Sequence, residues 1–152
     1  ASSLADVWTE VGGAYPHAQI RCSFAASGVR LQQIRQGAPI DVFVSASPRE
    51  MEALEREGRI DAGGRRDVAA NRLALIAPAR RPLRGWADLA APRTRRVALS
   101  APETTPAGRY ARETLERRGL WERVTAKAVY GQNVRQTLAY VAAGDVDAGI
   151  VF

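Results

Sequence analysis

Apolar positions along the chain switch repeatedly between helical and strand spacing. Leu4, Val7, Trp8 and Val11 recur at i, i+3, i+4 and i+7, which predicts an amphipathic helix ended by Gly12-Gly13. Ile20, Cys22 and Phe24 alternate with Gln19, Arg21 and Ser23, the period of a half-buried strand. A helix then opens after Ala25-Ala26-Ser27-Gly28, with Leu31 and Ile34 inward and a stop at Gly37. Asp41-Val42-Phe43-Val44-Ser45 reads as a short buried strand. Ser47-Pro48-Arg49-Glu50 supplies an N-cap, a proline at the first helical position and the glutamate of a capping box, for a helix carrying Met51 and Leu54 and ending at Gly58.

The second half continues the alternation. Leu73–Ala77 is a predicted strand closed by Pro78, and the Arg- and Pro-rich stretch 80–96 wraps the surface with one short helix at Trp86–Leu89. Val97–Ser100 is a strand, and Thr105-Pro106 opens a helix with Tyr110, Ala111 and Leu115 on its apolar face and Gly119 at its end. Val129-Tyr130 continues the sheet. Asn133 caps a helix with Gln136 at the capping-box position, Val134, Leu138 and Val141 on one face and Gly144 as the stop; Ala148–Phe152 is the last strand. Strand–helix alternation of this kind predicts an α/β fold with mainly parallel sheets flanked by helices.

Composition narrows the chemistry. The 152 residues suit one domain or two small lobes, and 46% hydrophobic with 25% charged residues argues against disorder. No apolar run approaches the roughly 20 residues of a membrane span. One cysteine, Cys22, and one histidine, His17, exclude an internal disulfide, a Cys-cluster metal site and a His-rich zinc site. Cys22 reads as a buried structural thiol and His17 as a solvated turn residue. Carboxylates fall mostly on predicted helix surfaces, and no dinucleotide or Walker A glycine pattern occurs, so no enzyme is indicated. The formal charge of +6 invites a nucleic-acid reading, but no basic stripe interleaved with aromatics supports it.

What remains is a set of helix starts bearing small or hydroxyl residues: Ser2-Ser3, Ser27-Gly28, Pro106-Ala107-Gly108 and Asn133-Val134. Helices of an α/β sheet begin where strands end, so these starts can converge on one edge. Each offers free N–H groups and about half a unit of positive partial charge, enough together to hold a small oxyanion without a charged side chain. Singly, each is also an ordinary N-cap.

Ala1-Ser2-Ser3-Leu4, Ser23-Phe24-Ala25-Ala26-Ser27-Gly28 and the run from Ile34 to Ala46 containing QGAPIDVFVSA resemble the molybdate-binding proteins of bacterial molybdate ABC importers. Asn71–Pro78, the Thr105–Ala111 block containing PAGRYA, Gly119-Leu120-Trp121, Asn133-Val134-Arg135-Gln136 and Asp147–Val151 continue the likeness in order through the whole chain. The resemblance implies a two-lobed periplasmic-binding-protein fold of type II, incomplete in this chain: residues 1–77 as a first lobe lacking its first strand and its C-terminal return, and residues 78–152 as the second lobe. The start at Ala1 without Met, and the stop at Phe152 inside an apolar run, fit a piece of a longer protein truncated at both ends.

Carried over residue by residue, the family's ligand positions fall on Ser3 and Ser27, through hydroxyl and N–H, and on Ala107 and Val134, through backbone N–H. The fifth is a tyrosine in well-studied relatives; here it is Phe152, with no hydroxyl. The resemblance implies the substrate-binding component of an ABC importer. It would clamp molybdate or tungstate between lobes and pass it to the membrane permease. Such a protein is expected as a monomer in the periplasm or otherwise outside the cytoplasm, lipid-anchored or free, with no cofactor, no bare metal ion and no nucleic acid. An all-donor site suits a fully ionised dianion over protonated phosphate. Arg30, Arg109 and Arg135 read as solvated surface charges able to steer anions. The alternatives are an oxyanion-sensing effector domain of a transcription regulator, a binding protein for another tetrahedral oxyanion such as sulfate, or an enzyme on a related two-lobed fold.

Overall fold

Strands that are apolar on both faces must be covered on both faces. Val97–Ser100 (β2) and Ala148–Val151 (β4) are of this kind, and every one of their residues is buried. The computed structural model describes residues 1–61 and 63–152. With Ala74–Ile76 (β1) and Ala128–Gly131 (β3), these strands form a four-stranded sheet in the order β1-β4-β2-β3. β2 runs parallel to both β3 and β4, while β1 pairs antiparallel with β4, Ala74 opposite Val151. The sheet is therefore mixed and mainly parallel.

The two faces of β2 feed two cores. Val97 and Leu99 pack with Ala148 and Ile150 under the helices Pro106–Arg117 (α4) and Trp121–Thr125 (α5), which contribute Ala111, Leu115 and Val124. The short 3₁₀ turn Trp86–Ala90 closes this side with the fully buried Leu89. Ala98 faces the other way, against Val141 of the helix Val134–Ala142 (α6) and Val146. Each fully buried Leu or Ile here stabilises the fold by about 1.5–3 kcal/mol.

Residues 1–61 are built differently. Ser2–Leu4 forms a 3₁₀ turn that leads into the helix Ala5–Ala14 (α1), and Ser27–Arg35 (α2) packs on Pro48–Arg56 (α3) through Leu31, Ala53 and Leu54. The helix stops at Gly37 and Gly58 lie where expected, both in the left-handed region that an L side chain resists.

Several expectations fail, most of them in this half. Residues 19–24 and 41–45 form no strand: Ile20, Cys22 and Phe24 are exposed, and Val42 is 77% exposed. Alternation describes which way side chains would face, but a strand exists only through a ladder, and no described segment supplies one to these residues. The Cys22 thiol is consequently not buried; its Sγ donates at 3.6 Å to the Trp8 carbonyl. Gly12 and Gly13 lie inside α1, which ends at Ala14 and buries no residue. In α6 the buried positions are Thr137 and Val141, one turn apart, leaving Leu138 48% exposed. Thr137 takes the inward position because its hydroxyl meets Ser100 Oγ of β2 at 2.9 Å.

Candidate functional site

Because β2, β3 and β4 are parallel, their carboxyl ends share one edge, and the elements that follow start there. After Ser100 comes α4, after Gly131 comes α6, and after Val151 comes Phe152. The helix starts approach the strand ends closely: a Cβ on Gly108 would lie 2.3 Å from the Ser100 carbonyl oxygen, and one on Gly131 would lie 2.8 Å from Thr137 Oγ1. Glycine is required at both.

The upstream half meets the same edge. The start of α2 abuts the loop before α4, where a Cβ on Gly28 would sit 2.5 Å from the Thr104 carbonyl oxygen. The Ser2 N–H donates to the Ala25 carbonyl at 3.1 Å, which sets the Ser2–Leu4 turn beside the start of α2. Between these parts lies a cavity of about 10 Å³ lined by Ser3, Ser27, Ala107, Val134 and Phe152 together. None of its lining side chains is ionisable. That volume is on the order of one water, so a five-atom oxyanion enters only if the walls part.

The hydrogen bonding around the cavity separates occupied donors from free ones. The Thr105 hydroxyl donates to the Ala101 carbonyl at 2.7 Å and accepts from the Gly108 N–H at 2.9 Å, so it is used up as the cap of α4. Asn133 Oδ1 accepts from the N–H groups of Arg135 and Gln136 at 3.0 and 3.1 Å. Both caps take later N–H groups and leave those of Ala107 and Val134 without an acceptor among the described residues, as are those of Ser3 and Ser27. Ser27 Oγ accepts from the Ala46 N–H at 3.0 Å, which leaves its own hydrogen to donate. Ser3 Oγ is buried with no hydrogen-bond partner among the described residues. An unpaired buried polar group costs about 1–3 kcal/mol, and an anion in the cavity would relieve that cost.

The three arginines are not free surface charges. Arg109 Nη2 donates to Glu50 Oε1 at 2.5 Å and to Ser47 Oγ at 3.1 Å, with the Arg109 and Glu50 side chains only 17% and 3% exposed. Arg135 Nε donates to the Ser2 carbonyl at 2.9 Å, and its guanidinium pairs with Asp6. Arg30 bonds Gln33 at 2.6 Å and the Ser23 hydroxyl. The predicted capping box also takes another form, because the Ser47 hydroxyl donates directly to the Glu50 carboxylate and accepts no hydrogen bond from the first N–H groups of α3. The Glu50–Arg109 pair had no sequence signal beyond Glu50's place in that box, since its members are 59 residues apart. Among the described residues no group of three or more His, Cys, Asp or Glu gathers as a metal site.

Known proteins resemble this chain along its whole length. A Bacillus subtilis protein named as a candidate ABC transporter substrate-binding lipoprotein, YvgL, is 35% identical over the whole of this chain and 60% of its own length. The molybdate-binding protein ModA of Haemophilus influenzae is 32% identical, again over the whole chain and 63% of its own. The chain thus spans about three fifths of the length of these curated relatives. The periplasmic molybdate-binding protein of Azotobacter vinelandii superposes with a TM-score of 0.90 at 28% identity, covering 99% of this chain and 68% of that one. The α/β architecture is that of a periplasmic binding protein. A family model for bacterial extracellular solute-binding proteins matches residues 1–152, and the chain belongs to that family of binding proteins, not of enzymes.

Proposed function

We propose that this chain carries the oxyanion site of an ABC importer's substrate-binding protein. Molybdate or tungstate is held by the N–H groups of Ser3, Ser27, Ala107 and Val134 and by the hydroxyls of the two serines. The observation that carries this reading is the set of acceptor-less N–H groups and the partnerless Ser3 Oγ around one cavity without ionisable side chains. Relatives named as molybdate-binding supply the choice of anion. A donor-only site is satisfied by a fully ionised tetrahedral dianion, whereas a protonated phosphate brings a hydrogen with no acceptor to meet it. Tungstate has the same charge and shape and competes for the site. Residues 1–77 and 78–152 form the two lobes that part and close around the ligand, hinged where the β1–β4 ladder joins them. The loaded protein acts outside the cytoplasm as a monomer, needs no cofactor, and hands the anion to a membrane permease.

Phe152 lines the cavity without offering a donor, and its ring lies 6.2 Å from that of Tyr110, edge to face. A hydrogen bond to a charged group is worth about 1.5–3 kcal/mol, so Phe152→Tyr is expected to tighten molybdate binding about ten- to hundredfold. The test is calorimetric titration of the full-length protein and this variant with molybdate, tungstate, sulfate and phosphate. The reading requires binding of the first two in preference to the others. Tight sulfate binding without heat from molybdate refutes it.

A further inference from the structure

Two arginines follow the free donors of the cavity closely in sequence, Arg109 two residues after Ala107 and Arg135 one after Val134. Each crosses to the opposite wall. Arg135 reaches the Ser2 carbonyl, next to Ser3. Arg109 reaches Ser47 and Glu50, and Ser47 follows Ala46, whose N–H holds Ser27 Oγ. We infer that Arg109 and Glu50 form a clasp that holds the Ser27 wall against the Ala107 wall when the site is closed, and so governs how slowly the bound anion leaves. This rests on the proposed oxyanion site.

Burial makes Arg109–Glu50 the stronger of the two crossings. Its carboxylate is almost fully enclosed and takes hydrogen bonds from both Arg109 and Ser47. Asp6, the partner of Arg135, is 86% exposed at its side chain, where water screens the pair. Breaking the buried pair from one side strands a charge, a penalty incurred only with the walls together. When they part, both groups regain water. The clasp therefore acts on release more than on capture. It also neutralises Arg109, which keeps the anion's recognition with neutral donors.

The experiment follows molybdate release by stopped flow from full-length protein carrying Glu50→Gln, Arg109→Gln or both, with Arg109→Lys as the conservative change. Each Gln single variant is expected to release molybdate about tenfold faster or more, with association little altered. The double variant should be no faster than the worse single, because only one interaction is lost. Arg109→Lys should fall between, since it keeps the charge without the planar fork. Melting of the ligand-free protein, where the clasp is open, should shift less than melting of the loaded protein. Release within about threefold of the parent, or single effects that multiply in the double, overturns the clasp. Equal melting losses with and without ligand overturn it too, assigning the pair to the fold alone. A parent protein that does not bind molybdate instead overturns the reading of the site.

Discussion

Residues 73–152 and residues 1–61 both carry strand-like as well as helical patterning, yet only the first group converts its strand patterns into a sheet. β2 and β4 are buried along their whole length, between a core under α4 and α5 and a smaller one under α6. Upstream, the apolar runs at 19–24 and 41–45 stay irregular, and Val42 stands in solvent. Helices, whose hydrogen bonds are internal, form in both halves. Strands form only where a partner lies alongside. Local patterning is thus sufficient for the helices of this chain and insufficient for its strands.

The contrast can be broken by mutation. Leu115 is fully buried against the sheet, and Leu115→Ala is expected to cost about 2–5 kcal/mol, whereas Val42→Ala should change stability by less than about 0.5 kcal/mol. Urea melts of the two variants decide this, and equal losses would mean that the upstream run is packed after all. Glycine substitutions sharpen the point at smaller scale. Gly108→Ala forces a methyl onto the Ser100 carbonyl and should cost about 1–3 kcal/mol. Gly13, inside α1 with nothing within 4 Å of an added Cβ, should gain about 0.5–1 kcal/mol as Ala. Thermal melts that move both variants in the same direction would contradict the difference.

The smallest effect concerns acid. Burial alone would raise the Asp147 carboxyl, but the N–H groups of Arg95 and Arg96 and the Arg81 guanidinium outweigh it and hold it below its ordinary 3.8. A lowered carboxyl stabilises the fold above its unfolded value, and that contribution disappears as the pH falls through the folded one. Asp147→Asn should therefore lower stability at neutral pH and flatten its fall below about pH 4. Unchanged acid dependence in denaturant titrations would remove Asp147 from the account of the sheet half.

Apart from the end of α1, the helix boundaries were legible because their signals are local. Thr105 and Asn133 cap α4 and α6 as the sequence predicts, and Gly37, Gly58, Gly119 and Gly144 follow helix ends with positive φ. The five cavity positions were reached through helix-start chemistry and family likeness, and the fold gathers all of them at one sheet edge. Which donors stay free was not legible, because that depends on where the Thr105 and Asn133 caps point. The Arg109–Glu50 pair was invisible for a related reason: its members meet only after the chain has folded, and in sequence Arg109 looks like a helix-surface charge and Glu50 like a capping-box residue. Leu138 misled because helical spacing leaves two neighbouring faces to choose from, and a hydrogen bond to Ser100 gave the inner one to Thr137.

The central claim is that four uncharged helix starts hold the anion, and amide NMR reads it most directly. Titration of ¹⁵N-labelled full-length protein with molybdate should shift the Ser3, Ser27, Ala107 and Val134 amides first and furthest, while those of Val97 and Ala128, at the opposite ends of β2 and β3, barely move. Saturable molybdate binding that leaves these four amides in place, and perturbs other residues instead, would contradict it.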